Sequence, residues 1–174
     1  MEKILNRKKL RLEDFDYSSN GAYFITICTK NRENFFGEIV NDKMVLNKAG
    51  GIIEKCWQEI PRHYPNVRLD KFCVMPNHFH GILFLEKENL MRNENIRSLQ
   101  TDWNGAKSGT ISAIIRGFKI GVTKFARKNG MEKFQWQRSF HDRIIRDEEE
   151  LKNITEYIKM NPENWEKDEE FMKL

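Results

Sequence analysis

The chain has few of the residues that staple or interrupt a fold. Its three cysteines, Cys28, Cys56 and Cys73, are odd in number, widely spaced and set in apolar patterns. They read as small buried hydrophobes in a reducing compartment, which argues against a disulfide framework or a zinc knuckle. No apolar run approaches membrane-spanning length and the N-terminus lacks a hydrophobic signal core, so a cytoplasmic protein with no membrane partner is expected. No internal repeat or low-complexity segment is visible, which leaves one ordinary domain with enough chain for a real core. Acidic residues are nearly missing from one stretch. Between Lys107 and Arg146 ten Lys and Arg face only Glu132 and Asp142, a local excess of eight positive charges in a chain whose net charge is +4. From Asp147 onward ten acids face four lysines, and the sign reverses. A basic block of that density is either a polyanion-binding surface or a solvated helical face.

Periodicity places the elements. Ala22–Thr29 is rich in β-branched and aromatic residues and reads as a strand. Phe35–Leu46 reads as two short strands meeting at a turn around Asn41-Asp42. Ala49, Ile52, Ile53, Cys56, Trp57 and Ile60 then follow helical spacing, with Asn47 as N-cap and Pro61 and Pro65 as terminators. Arg68–Met75 is a further strand, broken by Pro76-Asn77 before a strand that is apolar on both faces from residue 82, as a central strand covered on each side would be. Residues 86–108 are polar and aperiodic, a flexible connection. A helix capped by Ser108 or Thr110 follows, burying Ile111, Ile114, Ile115, Phe118, Val122 and Phe125 and exposing Arg116, Lys119, Thr123 and Arg127. The last helix opens with a capping box, Asp147 and Glu150, buries Leu151, Ile154 and Ile158, and is expected to stop at Asn161 because Pro162 disfavours helical geometry in the residue before it. The expected order is strand, hairpin, helix, two strands, two helices: an α+β fold with helices packed on an antiparallel sheet. A lead-in over 1–21, a domain over 22–165 and an acidic tail over 166–174 are the expected divisions.

Histidine is scarce too. Two of only four stand at His78 and His80, at the head of a strand, so both imidazoles project from one face while Phe79 turns to the other. The pair is half of a divalent-metal site or a pair of hydrogen-bonded histidines at a strand end; spacing alone leaves both open. On the last helix Tyr157 and Asn161 are four residues apart on one face, and Asn153 extends the stripe. A tyrosine there can be a packing residue. Set beside a metal held by His78, His80 and one oxygen ligand, its phenol could instead attack a polarised phosphate, with Asn161 placed to supply the oxygen. Tyr17, Tyr23 and Tyr64 lie in the lead-in, a strand and a proline-flanked segment and compete poorly as nucleophile. His141 reads as a DNA-facing or packing residue, not a ligand.

At these residues the chain resembles a known family. Val74-Met75-Pro76-Asn77-His78-Phe79-His80-Gly81-Ile82-Leu83 resembles the HUH segment of the single-tyrosine transposases of insertion sequences. Ile114–Lys119 is similar to their basic helix, Trp136–Arg146 to the segment before their catalytic helix, and Tyr157-Ile158-Lys159-Met160-Asn161-Pro162 to that helix. The combination over roughly residues 20–165 is most similar to the REP-associated tyrosine transposase branch. The resemblance implies a ferredoxin-like sheet with the histidines on a central strand and metal-dependent cleavage of single-stranded or hairpin DNA. It further implies a 5′-phosphotyrosine intermediate, a free 3′-hydroxyl and a need for Mg²⁺ or Mn²⁺. Carried over residue by residue, it makes Tyr157 the nucleophile, His78 and His80 metal ligands and Asn161 the third ligand, a position where the insertion-sequence enzymes carry glutamine. Arg116, Lys119, Arg127, Arg138, Arg143 and Arg146 are the expected DNA-binding residues, with Trp103, Trp136 and Phe140 as candidates for stacking on unpaired bases, Trp136 and Phe140 reading equally well as core. The state is monomer or homodimer, so Tyr157 acts in cis or in trans. Two alternatives stand beside this reading: a non-catalytic nucleic-acid-binding protein, and a metal phosphodiesterase that uses water.

Overall fold

The computed structural model describes residues 19–86 and 109–167. Trp103, most of the expected connection over 86–108 and nearly all of the lead-in and tail lie outside them. Six strands and four α-helices follow in the order β1 (Gly21–Cys28), β2 (Gly37–Val40), β3 (Lys43–Leu46), α1 (Lys48–Gln58), α2 (Ile60–His63), β4 (Val67–Val74), β5 (His78–Leu85), α3 (Ile111–Lys128), β6 (His141–Ile145) and α4 (Glu148–Met160). β1, β4, β5 and β6 form one antiparallel sheet in the order β4-β5-β1-β6, and β2 pairs with β3 as a separate ribbon. Leaving the ribbon aside, the path is strand, helix, two strands, helix, strand, with the first and third strands in the middle. That is the ferredoxin-like arrangement.

Local chemistry explains the elements. Asn41 and Asp42 hold φ of 50° and 59°, the left-handed pair that a two-residue hairpin turn requires. The Asn47 carboxamide accepts from the backbone N–H groups of Ala49 and Gly50 and starts α1. Thr110 does the same for α3 through Ala113 N. Pro61 bends the helix it was expected to end: α1 closes at Gln58 and the four-residue α2 restarts with Pro61 in its first turn, where a missing N–H costs little.

β5 is covered on both faces. Phe79, Leu83 and Leu85 join the large core beneath α1 and α3, where Trp57 lies against Phe79 with ring centroids 4.6 Å apart. Ile82, on the other face, packs with Ile145, Ile154 and Ile158 beneath α4. Among the described residues no helix is long and apolar enough to cross a membrane.

Two expectations need correction, and a third holds for a different reason. β6 is absent from the expected order because it is an edge strand paired only with β1, and its exposed His141 and Arg143 alternate with half-buried residues, so it read as basic segment. Phe125 is 38% exposed and Ala126 takes the buried position, since helical rotation beyond Val122 carries the stripe past residue 125. α4 closes at Met160 with Asn161 as its C-cap, as expected, although Asn161 itself keeps helical geometry. It holds φ −58° and ψ −43°, and Asn164 N bonds Met160 O at 3.0 Å, so the chain coils on past Pro162 into a short turn at Trp165–Lys167.

Gly81 is the tightest point of the β5–α1 contact. A Cβ there would stand 2.6 Å from the buried Trp57 ring and 2.8 Å from Phe79. Gly81→Ala should therefore lower stability by about 1–3 kcal/mol through overpacking, read as a lower urea midpoint with an unchanged m-value.

Candidate active site

The strand pairing sets the first half of the site. In the β1–β5 register Cys28 lies opposite His78 and Thr26 opposite His80, so these side chains share the face toward α4. Both imidazoles are buried, with ring centroids 4.5 Å apart. His78 Nδ1 is 2.8 Å from Asn77 Oδ1, and His80 Nδ1 is 2.9 Å from Thr26 Oγ1. An aromatic ring lies along each: Phe24 over His80 at 5.2 Å and Trp165 over His78 at 5.9 Å, both at 25°.

The second half comes from α4. Asp147 Oδ1 accepts from Glu150 N at 2.7 Å, and the Glu150 carboxylate accepts from Arg146 N at 2.9 Å, one residue ahead of the expected capping-box partner. With Ile154 and Ile158 seated in the smaller core, the next residue around the helix, Tyr157, points at the histidines. Its hydroxyl is 3.4 Å from His80 Nε2 in the same chain, a close approach longer than a strong hydrogen bond. The phenol is 44% exposed, the opposite of a packing tyrosine. Asn161 follows one turn on, 2% exposed, with its Oδ1 buried and making no hydrogen bond among the described residues. Helical backbone at Asn161 keeps it on the Tyr157 stripe.

Tyr157, His80, Asn161 and Asn153 line an open cleft of about 800 Å³ that is also lined by Arg143 and Arg146 and by Asp147, Glu149 and Glu150. Among the described residues no group of three His, Cys, Asp or Glu gathers; Asn161, whose buried Oδ1 makes no hydrogen bond among them, lines the same cleft as His80. Two imidazole nitrogens and a carboxamide oxygen fit a divalent cation of mixed nitrogen and oxygen preference.

The expected DNA-binding set divides. Arg146 lines the cleft exposed; Arg143 lines it while ion-paired to Glu150. Arg138 is exposed on the segment before β6. Arg116 and Arg127 are exposed on α3, whose buried face packs on the opposite side of the sheet from the histidines, so the sheet stands between them and the cleft. Lys119 is corrected outright. Its ammonium is half-buried and donates to the carbonyls of Gln137, Arg138 and Ser139 at 2.6, 3.3 and 3.4 Å. Trp136 and Phe140 take the core alternative: both pack on the main core, with Trp136 Nε1 donating to Lys119 O at 3.2 Å. Sequence reasoning missed Thr26, Phe24 and Trp165. Thr26 and Phe24 were legible as same-face residues of β1, had the β1–β5 register been known; Trp165 had no signal.

No family model matches the chain. A Haemophilus influenzae protein of uncharacterised activity is 44% identical over 171 residues, covering 95% of this chain and 93% of that one. Another from the same organism, provisionally assigned as a REP-associated tyrosine transposase, is 25% identical over 148 residues, 84% and 73% of the two chains. A solved REP-associated tyrosine transposase bound to a REP hairpin superimposes with a TM-score of 0.57 at 18% identity, over 89% of this chain and 74% of that one. The protein is thus of the transposase type. Within that class the REP-associated tyrosine transposases are what the chain resembles, in sequence at 25% identity and in fold.

Burial pulls the Lys119 pKa from 10.5 down to about 8, partly offset by Cys28. Between pH 8 and 10.5 the unfolded chain therefore binds more protons at this site than the folded one, and the Lys119 contribution to stability rises with pH. Lys119→Met should cost about 1–3 kcal/mol near pH 7 by leaving three carbonyls without their donor. The deficit against wild type should grow from pH 7 to pH 10 in urea unfolding.

Proposed function

We propose that this protein cleaves and rejoins single-stranded or hairpin DNA through a covalent link to Tyr157, using Mg²⁺ or Mn²⁺ held by His78, His80 and the Asn161 carboxamide oxygen. The observation that carries the reading is the approach of the Tyr157 hydroxyl to 3.4 Å from His80 Nε2 within one chain, in a cleft rimmed by Arg143 and Arg146. The fold shared with a transposase bound to a REP hairpin supports a hairpin as the substrate. Tyrosine and histidines meeting in one chain favours action in cis.

The cation, when bound, would polarise a non-bridging phosphate oxygen and offset charge as it builds. Tyr157 gives its phenolic proton to solvent, which reaches the 44% exposed side chain. Its oxygen attacks phosphorus, the P–O3′ bond breaks, and the electron pair leaves on the 3′-oxygen, which takes a proton from water. The products are a 5′-phosphotyrosine and a free 3′-hydroxyl. Attack by another 3′-hydroxyl reverses the step and joins the strands. Arg146 and Arg143 suit the flanking phosphates, because guanidinium presents paired donors to phosphate oxygens.

Labelled hairpin DNA with Mn²⁺ should give an adduct that survives denaturing electrophoresis. Tyr157→Phe should give none, His80→Ala should form it about 10²–10³-fold more slowly, and EDTA should abolish it. Nicking without an adduct that persists in Tyr157→Phe would instead establish the water-using phosphodiesterase; binding with neither nick nor adduct would establish a binding protein. Separately, Arg146→Ala should lower the slope of log affinity against log salt by about one, measured by fluorescence anisotropy.

A further inference from the structure

We propose that Asn77 is a positioning residue that fixes His78 in the tautomer with hydrogen on Nδ1, so that Nε2 always presents a lone pair to the cation; this rests on the reading of His78 as a ligand. A carbonyl oxygen only accepts hydrogen bonds. With Asn77 Oδ1 at 2.8 Å, His78 Nδ1 must therefore carry the proton. The residue carrying the carboxamide is fully buried and its backbone is pinned from both sides, which holds the side chain beside His78. Thr29 donates to Asn77 O through its backbone N at 2.9 Å and its hydroxyl at 3.0 Å, while Phe35 and Phe36 donate to Pro76 O at 2.9 and 3.0 Å. Trp165 along the imidazole face restricts the remaining rotation.

His80 is held differently. Its Nδ1 partner is the Thr26 hydroxyl, which can donate or accept, so that contact orients the ring without choosing its tautomer. The two histidines are thus unequal: His78 is preset and His80 is adjustable. Outer partners of this kind typically control ligand orientation and basicity, and losing one costs about 10–100-fold in metal affinity.

The test needs no DNA. Long-range ¹H–¹⁵N spectra of the metal-free protein, simple to assign with four histidines, should show His78 with a protonated Nδ1 and an unprotonated Nε2. Asn77→Leu should shift His78 toward the Nε2–H form and weaken Mn²⁺ binding, read by EPR, by about 10–100-fold. Asn77→Asp, which keeps an accepting oxygen and guards against a folding defect in the leucine variant, should retain both the tautomer and Mn²⁺ binding. An Nε2–H tautomer in the wild type, as a carboxamide turned with its nitrogen toward the ring would give, overturns the proposal. So does an Asn77→Leu variant that is folded and matches wild type in tautomer and affinity. If wild type keeps the Asn77-dependent tautomer yet takes up no Mn²⁺, the positioning role stands and the proposed function falls.

Discussion

Successive side chains of β5 point to opposite faces of the sheet, so residues of the main core and residues facing α4 are interleaved along one eight-residue strand. Phe79 and Leu83 lock the first face under α1 and α3. His78, His80 and Ile82 are thereby committed to the second. A one-residue slip in the β1–β5 pairing would move every side chain of the slipped strand to the wrong face and separate Thr26 from His80. The aromatic core thus stabilises the domain and also aims two imidazoles, neither of which contributes an atom to that core.

The two faces are unequally filled. The cluster under α1 and α3 holds twenty buried residues, that under α4 four, of which Ile154 and Ile158 belong to α4 itself. Burial of a large aliphatic side chain is worth about 1.5–3 kcal/mol, so α4 is attached by much less apolar contact than α3. Low packing density is where local opening concentrates. The helix bearing the tyrosine is therefore held to the sheet by fewer buried apolar side chains than α3, while the imidazoles are fixed in β5. On the proposed function this division is useful: the group that would become attached to DNA rides on the helix with less buried contact, and the imidazoles ride on the central strand.

Elements whose local chemistry decides them were legible in the sequence. The β2–β3 turn needed two residues tolerant of positive φ and had Asn41-Asp42; α1, α3 and α4 each carried a capping side chain. The geometry of the histidine pair was legible because strand alternation is a two-residue rule. What failed depended on distant partners. β6 is a strand because β1 offers it an open edge, a fact outside its own five residues. Lys119 lies on the exposed side of an isolated helix, and only the return of residues 137–139 over α3 turns it into a donor to carbonyls. Pro162 does end α4 as local rules require, but a bond from Asn164 to Met160 continues the turn beyond it and keeps Asn161 in line with Tyr157.

The same dependence divides the basic block by chemistry. A sequence count weighs Lys119, Arg127 and Arg146 equally, yet only a charge left in solvent and facing the cleft can neutralise phosphate there. Lys119 is withdrawn by burial and Arg127 by the intervening sheet, while Arg143 keeps a partner in Glu150, which a phosphate must displace. Arg146 has neither handicap. The density of positive charge therefore overstates the electrostatic pull on DNA at the cleft, and orientation of a few guanidinium groups beside Tyr157 matters more than their number. On the proposed function, recognition built that way would direct a bound strand past the phenol, which a uniformly basic surface would not do.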